Sequence, residues 1–135
     1  TGVPYVGSSE GSTGTDISSC AFNDFRDVWH CWTATCTGTA TINTCGSQFD
    51  TTLSIFSSCT VPTNIVCNDD SAACGAGSVE SQVVLPVVAG NTYFIRVSGF
   101  NGDSGTYTLN VACTPNIEGR PGRTGPGQVG GVIRN

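Results

Sequence analysis

The chain of 135 residues contains no Lys, no Met, a single His (His30) and three Leu. Without Lys there is neither lysine Schiff-base chemistry nor a Walker-type phosphate loop, and one His cannot supply a zinc site built on two imidazoles. Leu, Met, Lys and Glu together number 6 against 39 for Val, Ile and Thr, so helix formers are nearly missing and β-branched residues dominate. No segment carries helical periodicity. The longest uninterrupted apolar run, Val83 to Gly90, is far too short to cross a bilayer, and no membrane span is expected. Basic residues are scarce too: a net charge of −5 argues against a nucleic-acid partner. The length suits one domain with one core.

What the chain does have is cysteine. Cys20, Cys31, Cys36, Cys45, Cys59, Cys67, Cys74 and Cys113 make an even count of 8, with no pair at the C-x2-C spacing of a zinc ribbon or a redox dithiol. Disulfides in an oxidising compartment are the expectation, and the localisation that follows is extracellular, secreted or at the cell surface. The start at Thr1 without any Met is read the same way, as a chain whose initiator and secretory segment have been removed.

Short strands separated by polar turns run through the body: Val3 to Val6, Val28 to Thr35, Thr39 to Cys45, Thr51 to Phe56, Ile65 to Asn68, Ser78 to Val88, Thr92 to Ser98 and Thr106 to Ala112. Pro86 marks the sixth as an edge strand or the site of a bulge. Two hairpins are expected, one around the Thr37-Gly38 turn and one around Asn101-Gly102-Asp103-Ser104-Gly105. Seven or eight such strands predict an all-β fold, a single jelly-roll-like β-sandwich over 20–113, preceded by a lead-in over 1–19. The first hairpin predicts a Cys36–Cys45 disulfide, and the short loop before the fifth strand predicts Cys59–Cys67. Cys20–Cys31 and Cys74–Cys113 follow by elimination.

Residues 114–135 differ in kind. They hold 6 Gly and 3 Pro in 22 residues and no periodic apolar face, the composition of an extended, non-globular tail. Arg120, Arg123 and Arg134 against Glu118 give this tail +2, while residues 1–113 carry −7. Its one apolar cluster is Val129, Val132 and Ile133.

The ordered body resembles the bacterial pre-peptidase C-terminal domain family. The matching stretches are Asp27-Val28-Trp29-His30-Cys31-Trp32-Thr33-Ala34, Phe49-Asp50-Thr51-Thr52-Leu53, Cys67-Asn68-Asp69-Asp70, Ala89 to Phe100, and Gly105-Thr106-Tyr107-Thr108-Leu109-Asn110-Val111. The resemblance implies a secreted β-sandwich without catalytic activity, an accessory to proteases or a repeated unit of surface proteins. Family members usually begin with a further strand ahead of the Gly-Ser-Thr segment. The sequence here starts after that point, so an open sheet edge is expected.

Three motifs bear on chemistry. Gly102-Asp103-Ser104-Gly105 has the residues of a serine-protease nucleophile loop, yet one sandwich cannot frame a Ser-His-Asp triad the way paired barrels do, and a turn selects the same residues. Asp50, Asn68, Asp69 and Asp70 offer the hard oxygens that Ca2+ takes; the competing reading is an Asx-type turn. No motif requires a cofactor, and Ca2+ is the ion the residues suit. Trp29, Trp32, Tyr93, Phe94, Phe100 and Tyr107 suit a sandwich core better than a sugar-binding face. The leading functional expectation is a non-enzymatic subunit that assembles with copies of itself into an extracellular filament. The tail, through Arg120, Arg123, Val129, Val132, Ile133 and Arg134, would donate a strand to the next copy's open edge. The alternative is an extracellular module that binds a polysaccharide or a protein, accessory to a larger surface protein or secreted protease.

Overall fold

Period-two alternation of β-branched and polar residues produces strands almost exclusively. The computed structural model describes residues 4–14, 18–20, 23–57 and 64–116. Within them lie β1 (Tyr5–Ser8), β2 (Val28–Thr33), β3 (Gly38–Asn43), β4 (Thr51–Phe56), β5 (Val66–Asn68), β6 (Gln82–Val87), β7 (Thr92–Gly99) and β8 (Thr106–Pro115). Two single 3-10 turns, Ala72–Cys74 and Phe100–Gly102, complete the regular structure. The strands form two antiparallel sheets, ordered β1-β8-β3-β6 and β2-β7-β4-β5. Ile42, Leu53, Ile55, Leu85, Ile95 and Val97 meet between them, each at most 4% exposed, and each such burial contributes about 1.5–3 kcal/mol. The β-sandwich expected from the sequence is the fold observed.

Both expected hairpins are absent. β2 pairs with β7 while β3 pairs with β6 and β8, and β7 and β8 also belong to different sheets. Each connection crosses from one sheet to the other rather than reversing within one. Tyr5–Ser8, inside the segment read as a lead-in, pairs with β8 and fills the position beside it.

The new pairing overturns the expected disulfides. Cys36 and Cys45 lie beyond opposite ends of β3, whose six residues alone span about 20 Å, far beyond disulfide reach. Cys36 instead joins Cys113, and Cys45 joins Cys74, because β3 runs between β8 and β6. Cys67 bonds Cys20, which excludes both Cys59–Cys67 and Cys20–Cys31. Cys74–Cys113 falls with the two pairs that take those residues. Cys31 is exposed and makes no disulfide among the described residues. Cys59 lies outside them, as do Arg120, Arg123, Val129, Val132, Ile133 and Arg134.

Every residue of β4 is buried on both faces. Leu53 and Ile55 face the core; Thr52, Ser54 and Phe56 face outward and are still covered. Trp29 of β2 lies over Phe56, and described parts of the chain between β1 and β2 add to the cover. Ser19 N–H donates to Asn64 Oδ1 at one side of the sheet, beside the Cys20–Cys67 bond. Farther along, Asp24 and Asp27 clamp the Arg96 guanidinium at 2.9 and 2.7 Å, and Arg96 is fully buried. A side chain at Gly14 would overlap the Asp27 carboxylate, so that position stays Gly.

The outer edge of β6 is blunted. Thr44 N–H bonds Ser81 C=O, which sets the ladder parity so that Gln82, Val84 and Pro86 turn their backbone groups away from β3. Asn68 Oδ1 accepts from Gln82 N–H, Tyr93 OH accepts from Val88 N–H, and Pro86 has no N–H to offer. Pro86 thus sits on an edge strand, as the sequence indicated.

Candidate functional site

Antiparallel pairing of β4 with β5 sets Leu53 opposite Asn68, so the start of one strand lies beside the end of the other. Asp50 immediately precedes β4, and Asp69 and Asp70 follow β5. Their carboxylate oxygens lie within 4.8 Å of one another. The β4–β7 pairing, with Thr51 opposite Gly99, brings the β7–β8 connection to the same end, where Asp103 Oδ2 accepts from Asp50 N–H at 3.2 Å. Four carboxylates thus meet at one tip of the sandwich. Behind them, Thr44, Thr51 and Ser81 form a buried hydroxyl network, and Ser81 Oγ lies 2.5 Å from the Asp69 carbonyl oxygen.

The tip is electrostatically unsatisfied. Burial, then the charges of Asp69, Asp70 and Asp103, push the Asp50 carboxyl up to about 6. Burial and the charge of Asp70 also raise Asp69. Asp50 Oδ1 and Asp69 Oδ1 are buried without a hydrogen-bond partner among the described residues. Oxygen-only donors of high negative charge, two with orphaned oxygens, fit a hard divalent cation such as Ca2+. An open cleft of about 610 Å³ adjoins them, lined among others by Ser47, Gln48, Asp50, Glu80 and Asp103.

Of the four ligands expected from the sequence, Asp50, Asp69 and Asp70 converge. Asn68 does different work: its Oδ1 accepts from Gln82 N–H at 3.1 Å and ties β5 to β6. The sequence marks Asp103 as a turn residue, and that role is real, since its Oδ1 accepts from Ser104 N–H. The Arg96–Asp24–Asp27 clamp was not anticipated. Its one signal is a charged residue inside the strongest alternating strand.

His30 is committed to packing. Its Nε2 lies 2.7 Å from Tyr107 OH, and its ring meets Tyr5 edge-on at 4.8 Å. Burial lowers the His30 pKa and, with Tyr5, pushes the Tyr107 hydroxyl up to about 12. A Cβ at Gly7 would strike both Tyr5 and Tyr107, which explains the glycine in β1. The imidazole is thus bonded to a tyrosine, and Ser104 sits in a turn with its backbone N–H held by Asp103.

No family model matches the chain, and no curated protein matches it. Solved structures of the same fold include two from bacteria. One is Aeromonas hydrophila PliG, a periplasmic inhibitor of g-type lysozyme, with 19% identity, a TM-score of 0.52, and 82% of this chain and 83% of that one covered. The other is the pre-peptidase C-terminal domain of a Bacillus anthracis collagenase, with 12% identity, a TM-score of 0.51, and 82% and 88% covered. At these identities the likeness is one of fold, and it bears out the family resemblance at that level alone.

Proposed function

We propose that the protein is an extracellular, non-catalytic binding module whose ligand-facing region is the acidic tip, completed there by Ca2+. The observation that carries this reading is the convergence of Asp50, Asp69 and Asp70 within 4.8 Å, with buried, unpartnered oxygens on Asp50 and Asp69. When bound, the ion neutralises the tip and offers open coordination positions toward the adjoining cleft. Asp50 and Asp69 hold it from the protein side, and the exposed Asp70 faces the ligand. Three disulfides suit an oxidising compartment, and one protein of this fold is a periplasmic inhibitor of another protein. Isothermal titration with CaCl2 tests the reading. One site that vanishes in Asp50→Asn and in Asp69→Asn supports it, and absence of heat with the chain folded removes it. Affinity electrophoresis through gels cast with acidic or neutral polysaccharides, with and without Ca2+, then separates a sugar ligand from a protein ligand.

Filament assembly by tail donation is a second reading, favoured by one feature of the fold. Ser9 N–H bonds Gly105 C=O, a parity that turns the backbone of Val6 and Ser8 outward from the free edge of β1. That edge is the acceptor we assign to the tail segment that holds Val129, Val132 and Ile133.

A further inference from the structure

The free edge of β2 differs from that of β6. Ala34 N–H bonds Asn91 C=O, and Asp27 N–H is taken by Thr13 C=O on the opposite side. This parity, carried along the β2–β7 register, turns the N–H and C=O groups of Trp29, Cys31 and Thr33 away from the sheet. None of these groups meets a partner among the described residues. The strand carries no Pro and no charge from Val28 to Thr33, so two of the usual devices against edge pairing are absent from it.

We propose that β2 is a homodimer interface, with a second copy of the chain pairing antiparallel across a two-fold axis at Cys31. The strand is self-complementary about that point. Trp29 meets the partner's Thr33, Cys31 meets its equivalent, and about six backbone hydrogen bonds join the two sheets into one of eight strands. Charge favours this arrangement. The acidic tip lies at the Val28 end of β2, so antiparallel pairing sends the two tips to opposite ends of the dimer. Tyr5 packs edge-on against His30, so the edge of β1 lies on the same side of the sandwich as β2. Directly opposed residues of a hydrogen-bonded pair have Cα atoms about 5.5 Å apart, inside the range that a disulfide spans. Exchange with a disulfide oxidant then couples the two Cys31 thiols: oxidised glutathione accepts two electrons and both protons and leaves as two thiols, and one S–S bond forms between the chains.

The test is light scattering coupled to size exclusion, with non-reducing gels and peptide mapping after incubation in a glutathione redox buffer. The wild-type chain runs at twice 13.8 kDa and yields a Cys31–Cys31 peptide. Cys31→Ser keeps the dimer in solution and loses the covalent band. Thr33→Pro removes an outward N–H, as Pro86 does on β6, and gives a monomer with an unchanged melting temperature; should it fail to fold, Cys31→Lys sets two like charges at the axis and gives the same monomer. Val132→Asp leaves the dimer intact, which separates this contact from tail donation. A wild-type chain monomeric at every concentration, a dimer that survives in Cys31→Lys, or Cys31 mapped to Cys59 overturns the proposal.

Discussion

At the scale of single residues, Arg96 and Asp50 set the stability of the molecule in opposite ways. Arg96 is completely enclosed, and its guanidinium reaches Asp24 and Asp27. Arg96→Met would leave both carboxylates under the covering segment without their cation, a loss of about 3–5 kcal/mol that a urea titration would register. Asp50 works in the other direction. Its carboxyl is raised to about 6 in the folded chain, so between the unfolded carboxylate range and pH 6 the native state holds the proton more tightly than the unfolded state does. Stability contributed by this group is therefore present in acid and is lost as pH rises through 6. The urea midpoint of the Ca2+-free protein should fall over that interval, and Asp50→Asn or saturating Ca2+ should flatten the profile. A midpoint that rises from pH 4 to 6.5 in the wild type and not in Asp50→Asn would contradict the assignment.

Among the elements, the positions and faces of the strands were legible and their partners were not. Leu53 and Ile55 on one face of β4, alternation in β7 and β8, and Pro86 at an edge all follow from period-two patterning, which is local. Pairing is a property of where connections cross. Thr37-Gly38 and Asn101 to Gly105 have turn chemistry in both arrangements, so residue type could not distinguish a hairpin from a crossing between sheets. The same ambiguity misplaced the disulfides, because a cysteine beside a strand end can meet whichever strand lies next to it. The acidic tip was legible in part, since Asp69 and Asp70 are adjacent and Asp50 opens a strand, whereas Asp103 arrives only through the β4–β7 register. The observed bridges carry their own prediction. Cys36–Cys113, Cys20–Cys67 and Cys45–Cys74 close separations of 77, 47 and 29 residues. Loop entropy then ranks their removal at about 4.5, 4 and 3.6 kcal/mol. Paired Cys→Ala variants should lower the melting temperature in that order, and a reversed order would mean that native-state packing, most of all the cover that Cys20 anchors, outweighs the entropy of the unfolded chain.

For the whole molecule, the two sides of the sandwich are unequal. Among the described residues, the β6 edge is interrupted by Asn68, Tyr93 and Pro86, and the edges of β1 and β2 carry no such interruption. Association by strand addition is therefore expected on the β1 and β2 side, and its two edges call for different occupants. The β2 edge is self-complementary, and a contact across a two-fold axis closes at two copies. The β1 edge is short, with Val6 and Ser8 alone turned outward, and suits a short donor such as the cluster around Val132 and Ile133, whose repetition does not close. The two contacts can be told apart by single changes. Val6→Pro removes an outward N–H from β1 without touching its bonds to β8, and in the filament reading it should stop growth seen by negative stain while leaving the β2 contact intact. Ending the chain at Asn116 should have the same effect, because β8 terminates at Pro115 and its pairing with β3 is kept. Val132→Asp and Ile133→Asp should each prevent assembly by burying an unpaired charge in the acceptor edge. Salt separates the remaining terms: at 1 M the Debye length is about 3 Å, so attraction between the tail at +2 and the body at −7 is screened. Particles held by apolar strand docking persist there and grow more slowly, and particles that dissolve at 1 M salt would assign the contact to Arg120, Arg123 and Arg134 instead. A chain ending at Asn116 that still forms long particles would leave the tail no part in assembly.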